Sequence, residues 1–187
     1  PAFDTNIIGI LIGGAQGTKL TYEEKRWPGL NEFIRLALQK SDKKIILFGA
    51  KEDRGLAEQI LKKCADLDLS RLTDSTGRYS LEQLPDIFSG LGTFVSIDSG
   101  LAHIAAASMK ASGQKIISLF GPTDPKVWGA RATGLGTVKT HYITAPCSPC
   151  YLNDGKFKPC PLPGDRFQYC MKEISAQAVL ESILNLN

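Results

Sequence analysis

The 187-residue chain is most easily placed by what it lacks. It has no apolar run near the ~20 residues that a helix needs to cross a bilayer, and no signal-peptide pattern opens it. It has no strong excess of one charge. Twenty-two Lys and Arg against 19 Asp and Glu leave +3, which argues against a nucleic-acid partner and suits a small anionic ligand. Five cysteines are too few for a disulfide scaffold of this size. There is no internal repeat, low-complexity tract or heptad. There is also no initiating Met, since the chain begins at Pro1, so it is expected to be a piece of a longer protein.

What is present is an ordinary globular composition, 43% hydrophobic and 22% charged, enough for one good core. "NIIGILIGG" (Asn6–Gly14) is a continuous apolar run closed by glycines, as a strand buried on both faces would be. A helix follows in "WPGLNEFIRLALQK", with Leu30, Phe33, Ile34 and Ala37 at helical spacing. "KKIILFGA" (Lys43–Ala50) is a second strand. "DRGLAEQILKKC" is a second helix, with Leu56, Ile60 and Cys64 on one face. "SRLTDST" predicts a short third strand. "SLEQLPDIFSGL" predicts a helix opened by a Ser80/Gln83 capping box, against which Pro85 stands one turn in. "TFVSI" and "KIISLFG" (Lys115–Gly121) are strands flanking a Gly100–Lys110 helix. "TVKTHYI" predicts a sixth strand, and residues 175–186 a closing helix. Strand and helix thus alternate without polar alternation in the strands. This predicts an α/β fold, a Rossmann-like doubly wound parallel sheet, in a single domain over residues 1–187. Residues 145–170, rich in Pro, Cys, Gly and Lys, are expected to form an irregular loop rather than a second domain.

Ligands of such sheets sit at the carboxyl ends of the strands. Those ends carry Gly13-Gly14, Gly49, Asp98-Ser99-Gly100 and Gly121-Pro122-Thr123. A helix starting at Ser99 or Gly100 offers free N–H groups and the positive end of its dipole to an anion. Gly100 leaves the approach open, Ser99 can donate a hydroxyl hydrogen, and His103 lies in the first turn. Asp98 would repel a pyrophosphate, so it is expected to cap the helix or accept hydrogen bonds from sugar hydroxyls. Lys25 and Arg26, just before Trp27-Pro28, fall on the same rim, although surface lysines are usually only solvated. Glu52 and Asp53 follow the second strand, where a ribose is often gripped; Asp53 serves equally well as a helix cap.

The segments "EEKRWP", "SIDSGLAHIAAA" and "SLFGPTDPKVWG", in this order and spacing, resemble the carboxyl-terminal half of the family 9 glycosyltransferases, the ADP-heptose:lipopolysaccharide heptosyltransferases. The resemblance covers nearly the whole chain. It implies one half of a two-domain GT-B enzyme. This half binds a nucleotide-sugar donor such as ADP-heptose. A missing amino-terminal domain binds the lipid-linked acceptor, in the cytoplasm at the inner face of the inner membrane, with peripheral membrane contact in the full protein. By resemblance, Lys25 contacts the diphosphate, and Ser99, Gly100 and Leu101 hold phosphate oxygens at the helix start. Asp98 and His103 line the donor pocket, Glu52 is the ribose ligand, Tyr79 lies near the base, and Thr123 closes the diphosphate side. Gly13-Gly14-Ala15-Gln16 stands where the family commonly has a more hydroxyl-rich turn.

In transfer, charge develops on the β-phosphate of the leaving nucleoside diphosphate, and Lys25 with the Ser99–Leu101 terminus is suited to stabilise it. No cofactor and no metal are then needed. The general base for the acceptor hydroxyl is implied to lie in the amino-terminal domain, so no catalytic residue is assigned to this chain. Cys147, Cys150, Cys160 and Cys170 read C-x-x-C followed by two wider gaps. Such a set can bind structural zinc, but the later cysteines lack a second tight pair, and reduced, partly buried thiols are the preferred expectation. Two other functions stay open at this stage: a non-catalytic nucleotide-binding or zinc-dependent interaction module, and a nucleotide-sugar epimerase of similar fold.

Overall fold

A computed structural model describes residues 3–14, 23–150 and 159–184. Its strands are β1 (Asp4–Leu11), β2 (Lys44–Phe48), β3 (Leu72–Asp74), β4 (Leu91–Ile97), β5 (Lys115–Phe120) and β6 (Thr137–Tyr142). They form one sheet in the order β3-β2-β1-β4-β5-β6, with every neighbouring pair parallel. The helices are α1 (Leu30–Lys40), α2 (Arg54–Lys63), α3 (Leu84–Ser89), α4 (Gly100–Ser108), α5 (Pro125–Trp128), α6 (Tyr169–Lys172) and α7 (Ala176–Leu184). This is the expected Rossmann-like arrangement, and the order reverses between β1 and β4.

The unbroken apolar runs follow from burial on both faces. All seven residues of β4 are buried. β6 lies at an edge, and its Thr-Val-Lys-Thr-His-Tyr sequence is partly exposed, as an edge strand's can be. α1 buries Phe33, Ile34, Ala37 and Leu38, the stripe read from its spacing. α4 buries only alanines, Ala102, Ala105 and Ala106, which lets it lie close to its neighbours. Phe48, Phe88 and Phe94 meet edge-on or tilted at the centre of the core, with ring centroids 4.6–5.9 Å apart.

Boundaries moved where tertiary context outweighed local signals. The Ser80/Gln83 box does not open a helix. Gln83 accepts from the Ser80 N–H through its side chain (2.9 Å), but the two close a separate turn, and α3 starts at Leu84. Pro85 then occupies the first helical turn, where its missing N–H costs nothing. β1 runs over Asp4–Leu11 rather than to Gly14. The 145–170 segment contains a 3₁₀ turn at Gly164–Arg166 and runs into α6, elements that its composition does not announce.

One tertiary contact anchors the region before α1. Trp27 is buried against Phe33 (5.7 Å), and its indole N–H donates to the Ile174 carbonyl (3.0 Å), between α6 and α7. Loss of such a ring from a core costs about 3–5 kcal/mol. Trp27 thereby fixes the 3₁₀ turn Glu23–Lys25 relative to the sheet.

Candidate functional site

A cleft of about 820 Å³ opens at the carboxyl ends of β1, β2, β3 and β4. Six of the nine residues expected at the site line it: Lys25, Tyr79, Asp98, Ser99, Gly100 and Leu101. Lys25 arrives on the turn before Trp27, and Asp98 on the loop between β4 and α4, so the two meet at the reversal point of the strand order. Lys25 Nζ donates to Asp98 Oδ2 at 2.7 Å, with side chains only 17% and 11% exposed. Asp98 is therefore not a helix cap. No side chain caps α4 at Ser99, whose hydroxyl lies 2.9 Å from that of Ser96. A Cβ placed on Gly100 would meet nothing within 4 Å, so space above the helix start is open. The tip of α4 thus joins dipole and first-turn amides to an adjacent lysine. Tyr79, 39% exposed, sits over Phe48 with ring centroids 6.3 Å apart and offers a flat apolar wall.

Three expected residues do not line the cleft. Glu52 is exposed on the 3₁₀ turn Lys51–Asp53. His103 is exposed on α4: the cleft-facing positions there are Gly100, Leu101 and Ile104, and a helical step of ~100° per residue puts His103 roughly 110° from their centre. Thr123 is buried at 1% exposure in the turn after β5, its Oγ1 without a hydrogen-bond partner. Ala15 and Gln16 lie outside the described residues.

Asp53, read above as equally suited to capping, is the acid that faces the cleft. It is 3% exposed. Its Oδ2 accepts from the Ala50 N–H (2.8 Å), while Oδ1 is buried without a partner. Heading α2, it makes no side-chain cap bond. The sequence signal for it is Gly13. A Cβ there would stand 2.0 Å from the Asp53 carboxyl carbon, so this glycine makes room for a carboxylate rather than for a ligand.

The clustered cysteines come together elsewhere. Cys147, Cys150, Cys160 and Cys170 line one cavity of about 10 Å³ with Glu24, Pro122 and Leu162. All are free thiols. Burial, reinforced by the neighbouring thiols, pushes Cys150 up to about 12, and burial pushes Cys170 up to about 11.

Comparison with known proteins gives this geometry a context. The profile of "Glycosyltransferase family 9 (heptosyltransferase)" matches residues 6–158. Lipooligosaccharide heptosyltransferase 2 of Haemophilus ducreyi is 37% identical over 117 residues, 62% of this chain and 32% of that protein. Lipopolysaccharide heptosyltransferase 1 of Salmonella typhimurium is 30% identical over 111 residues, 58% of this chain and 32% of that protein. Among solved structures, the ADP-heptose LPS heptosyltransferase II of E. coli superposes with a TM-score of 0.66 at 22% identity, over 96% of this chain and 45% of that one. The dodecameric iron-containing heptosyltransferase TibC in complex with ADP-D-beta-D-heptose gives 0.61 at 14% identity, over 96% and 46%. The chain thus spans about a third of the length of the curated relatives it matches and under half of the solved chains. With a matching profile over most of its length and the fold of these heptosyltransferase structures, the chain belongs to glycosyltransferase family 9.

Proposed function

We propose that this chain is the donor-binding half of a heptosyltransferase, which moves a heptose from an ADP-sugar to a lipopolysaccharide core acceptor. The observation that carries the reading is the meeting of Lys25 with the uncapped start of α4 at the strand-order reversal. A diphosphate laid there receives a cation and the first-turn amides of α4, groups that stabilise charge developing on the leaving β-phosphate. The phosphate takes over Lys25, and Asp98 turns to a sugar hydroxyl. Asp53 Oδ1 accepts from the ribose, in place of Glu52. Tyr79 covers one face of the base. His103 and Thr123 stand outside the cleft wall. The acceptor groove and the carboxylate that deprotonates the acceptor come from an amino-terminal domain, working in the cytoplasm at the inner face of the inner membrane. Among the described residues no helix is long and apolar enough to cross a membrane, and peripheral contact suffices for such an acceptor.

The test is calorimetric and thermal. ADP or an ADP-sugar should stabilise the fold by ~2.7 kcal/mol at a hundredfold excess over its dissociation constant. Lys25→Ala should weaken binding by roughly 1–3 kcal/mol, the loss of a charge-assisted contact. Titration calorimetry separates that loss from the stability change of leaving Asp98 unpaired. If no nucleotide raises the melting temperature, or the variant binds as tightly, the site is wrong and a non-catalytic module becomes the better reading.

A further inference from the structure

A second cavity, of about 170 Å³, lies behind the donor cleft. Its floor is the sheet. Ile10 and Val95 are register partners there, and they point to the face opposite Phe94, away from α3. Leu30 at the start of α1, with Leu56 and Ile60 of α2, forms the walls. Leu11 lines both spaces, so the end of β1 is the partition between them. Protein interiors leave few voids larger than a water molecule, and a dry cavity of about 150 Å³ can hold benzene. The space behind the cleft is therefore large enough for a small ring or a short branched chain.

The polar atoms say what else an occupant carries. Arg26 Nε is buried without a hydrogen-bond partner, and so is Asn31 Oδ1. Both residues line the cavity, as does Lys63, and none of its described lining residues is acidic. A buried donor left without an acceptor is costly, and a guanidinium is best answered by a carboxylate or phosphate oxygen. A half-turn of the Asn31 amide exchanges its oxygen for the NH2 group, a second donor to the same head. We propose that this cavity binds a small amphipathic anion, separately from the donor cleft. Its benzene-sized apolar body lies between α1, α2 and the sheet, and its carboxylate or phosphate head meets Arg26. Arg26 directly follows Lys25, and Trp27, also in the cavity wall, fixes the turn that carries Lys25. An occupant thus braces that turn from behind, and the site stands whatever the cleft binds.

The experiment is a titration of benzoate, phenyl phosphate and neutral benzyl alcohol into this chain, followed by calorimetry and by Trp27 emission. Trp128, the other tryptophan, lies on α5 and does not line the cavity. The expected result is one saturable site for at least one of the two anions, with a change in emission, and benzyl alcohol bound about tenfold more weakly. The tighter anion identifies the head. Arg26→Gln should remove the tenfold advantage while benzyl alcohol binds as before, a split that a merely destabilised variant would not give. Lys25→Ala should leave anion binding intact. No saturable binding of either anion would overturn the proposal, as would benzyl alcohol binding as tightly as both. So would loss of the anion in Lys25→Ala but not in Arg26→Gln, which would put it in the donor cleft.

Discussion

Asp53 and Glu52 are neighbours, and only one of them faces the cleft. Both follow the second strand, and the sequence offers no way to choose between two adjacent acids on a short turn. The choice is made by side-chain direction, which changes by about a third of a turn from one residue to the next. The clue was the glycine across the gap: Gly13 has no side chain because the Asp53 carboxyl fills that space. A buried carboxylate oxygen without a partner is costly, so its retention fits a ligand that supplies the missing hydrogen. Asp53→Asn should therefore leave the free protein as stable or slightly more so, while weakening ADP about tenfold, ~1.4 kcal/mol. Glu52→Gln should change neither. Calorimetric titration of ADP into both variants checks this, and a larger loss with Glu52→Gln would restore the original assignment. The Asp98-Ser99-Gly100 joint is legible for a different reason. Asp98, Ser99 and Gly100 mark an abrupt polar joint between two apolar elements, a contrast visible in one dimension. His103 does not line the cleft, because three steps along a helix bring a residue near the starting face, but not onto the wall that Leu101 and Ile104 define.

Among elements, the alternation of strands and helices was readable because parallel strands are apolar throughout and their helices carry a clear stripe. The short pieces were not. α5 and α6 are four residues each and depend on what they pack against, not on propensity. The contact between β6 and α7 shows how an edge strand is held. Ser182 gives its hydroxyl hydrogen to the Ala178 carbonyl (2.9 Å), so His141 Nε2, at 3.1 Å, donates to Ser182. Burial, and then the charge of Lys139, hold His141 below its usual range. A histidine with a depressed folded-state value favours the fold when neutral. Its contribution is complete above about pH 6.5 and is lost as pH falls from there through the folded-state value. Melting temperature should decline between about pH 7 and 5, and the decline should be shallower in His141→Gln, which stays neutral and can still donate. Parallel curves for the two proteins would remove His141 as a cause.

For the whole molecule, every cleft residue lies on one rim of one sheet. A transferase must also hold the acceptor hydroxyl in line with the anomeric carbon, and orientation of that kind is worth about 7–11 kcal/mol. The chain alone should bind donor and fail to transfer sugar. The check is a transfer assay with radiolabelled ADP-heptose and heptose-deficient lipopolysaccharide, comparing this chain with the longest natural polypeptide that contains it. Robust turnover by the chain alone, abolished by Asp98→Asn, would make Asp98 the base and end the half-enzyme reading.

The strand order has a consequence in time as well as in space. Ile8 of β1 pairs with Ile45 on one side and with Thr93 on the other. The first partner is a short crossover away, while the second becomes available only after two more strands and three helices have been traversed. The middle of the sheet is thus completed late, by a contact of high sequence separation, and such contacts slow folding because the loop must close before the pairing rewards it. Until β4 docks, β1 exposes one apolar edge along Ile8, Gly9 and Ile10, so the emerging chain carries an open flank that β5 and β6 cannot cover until β4 has taken its place.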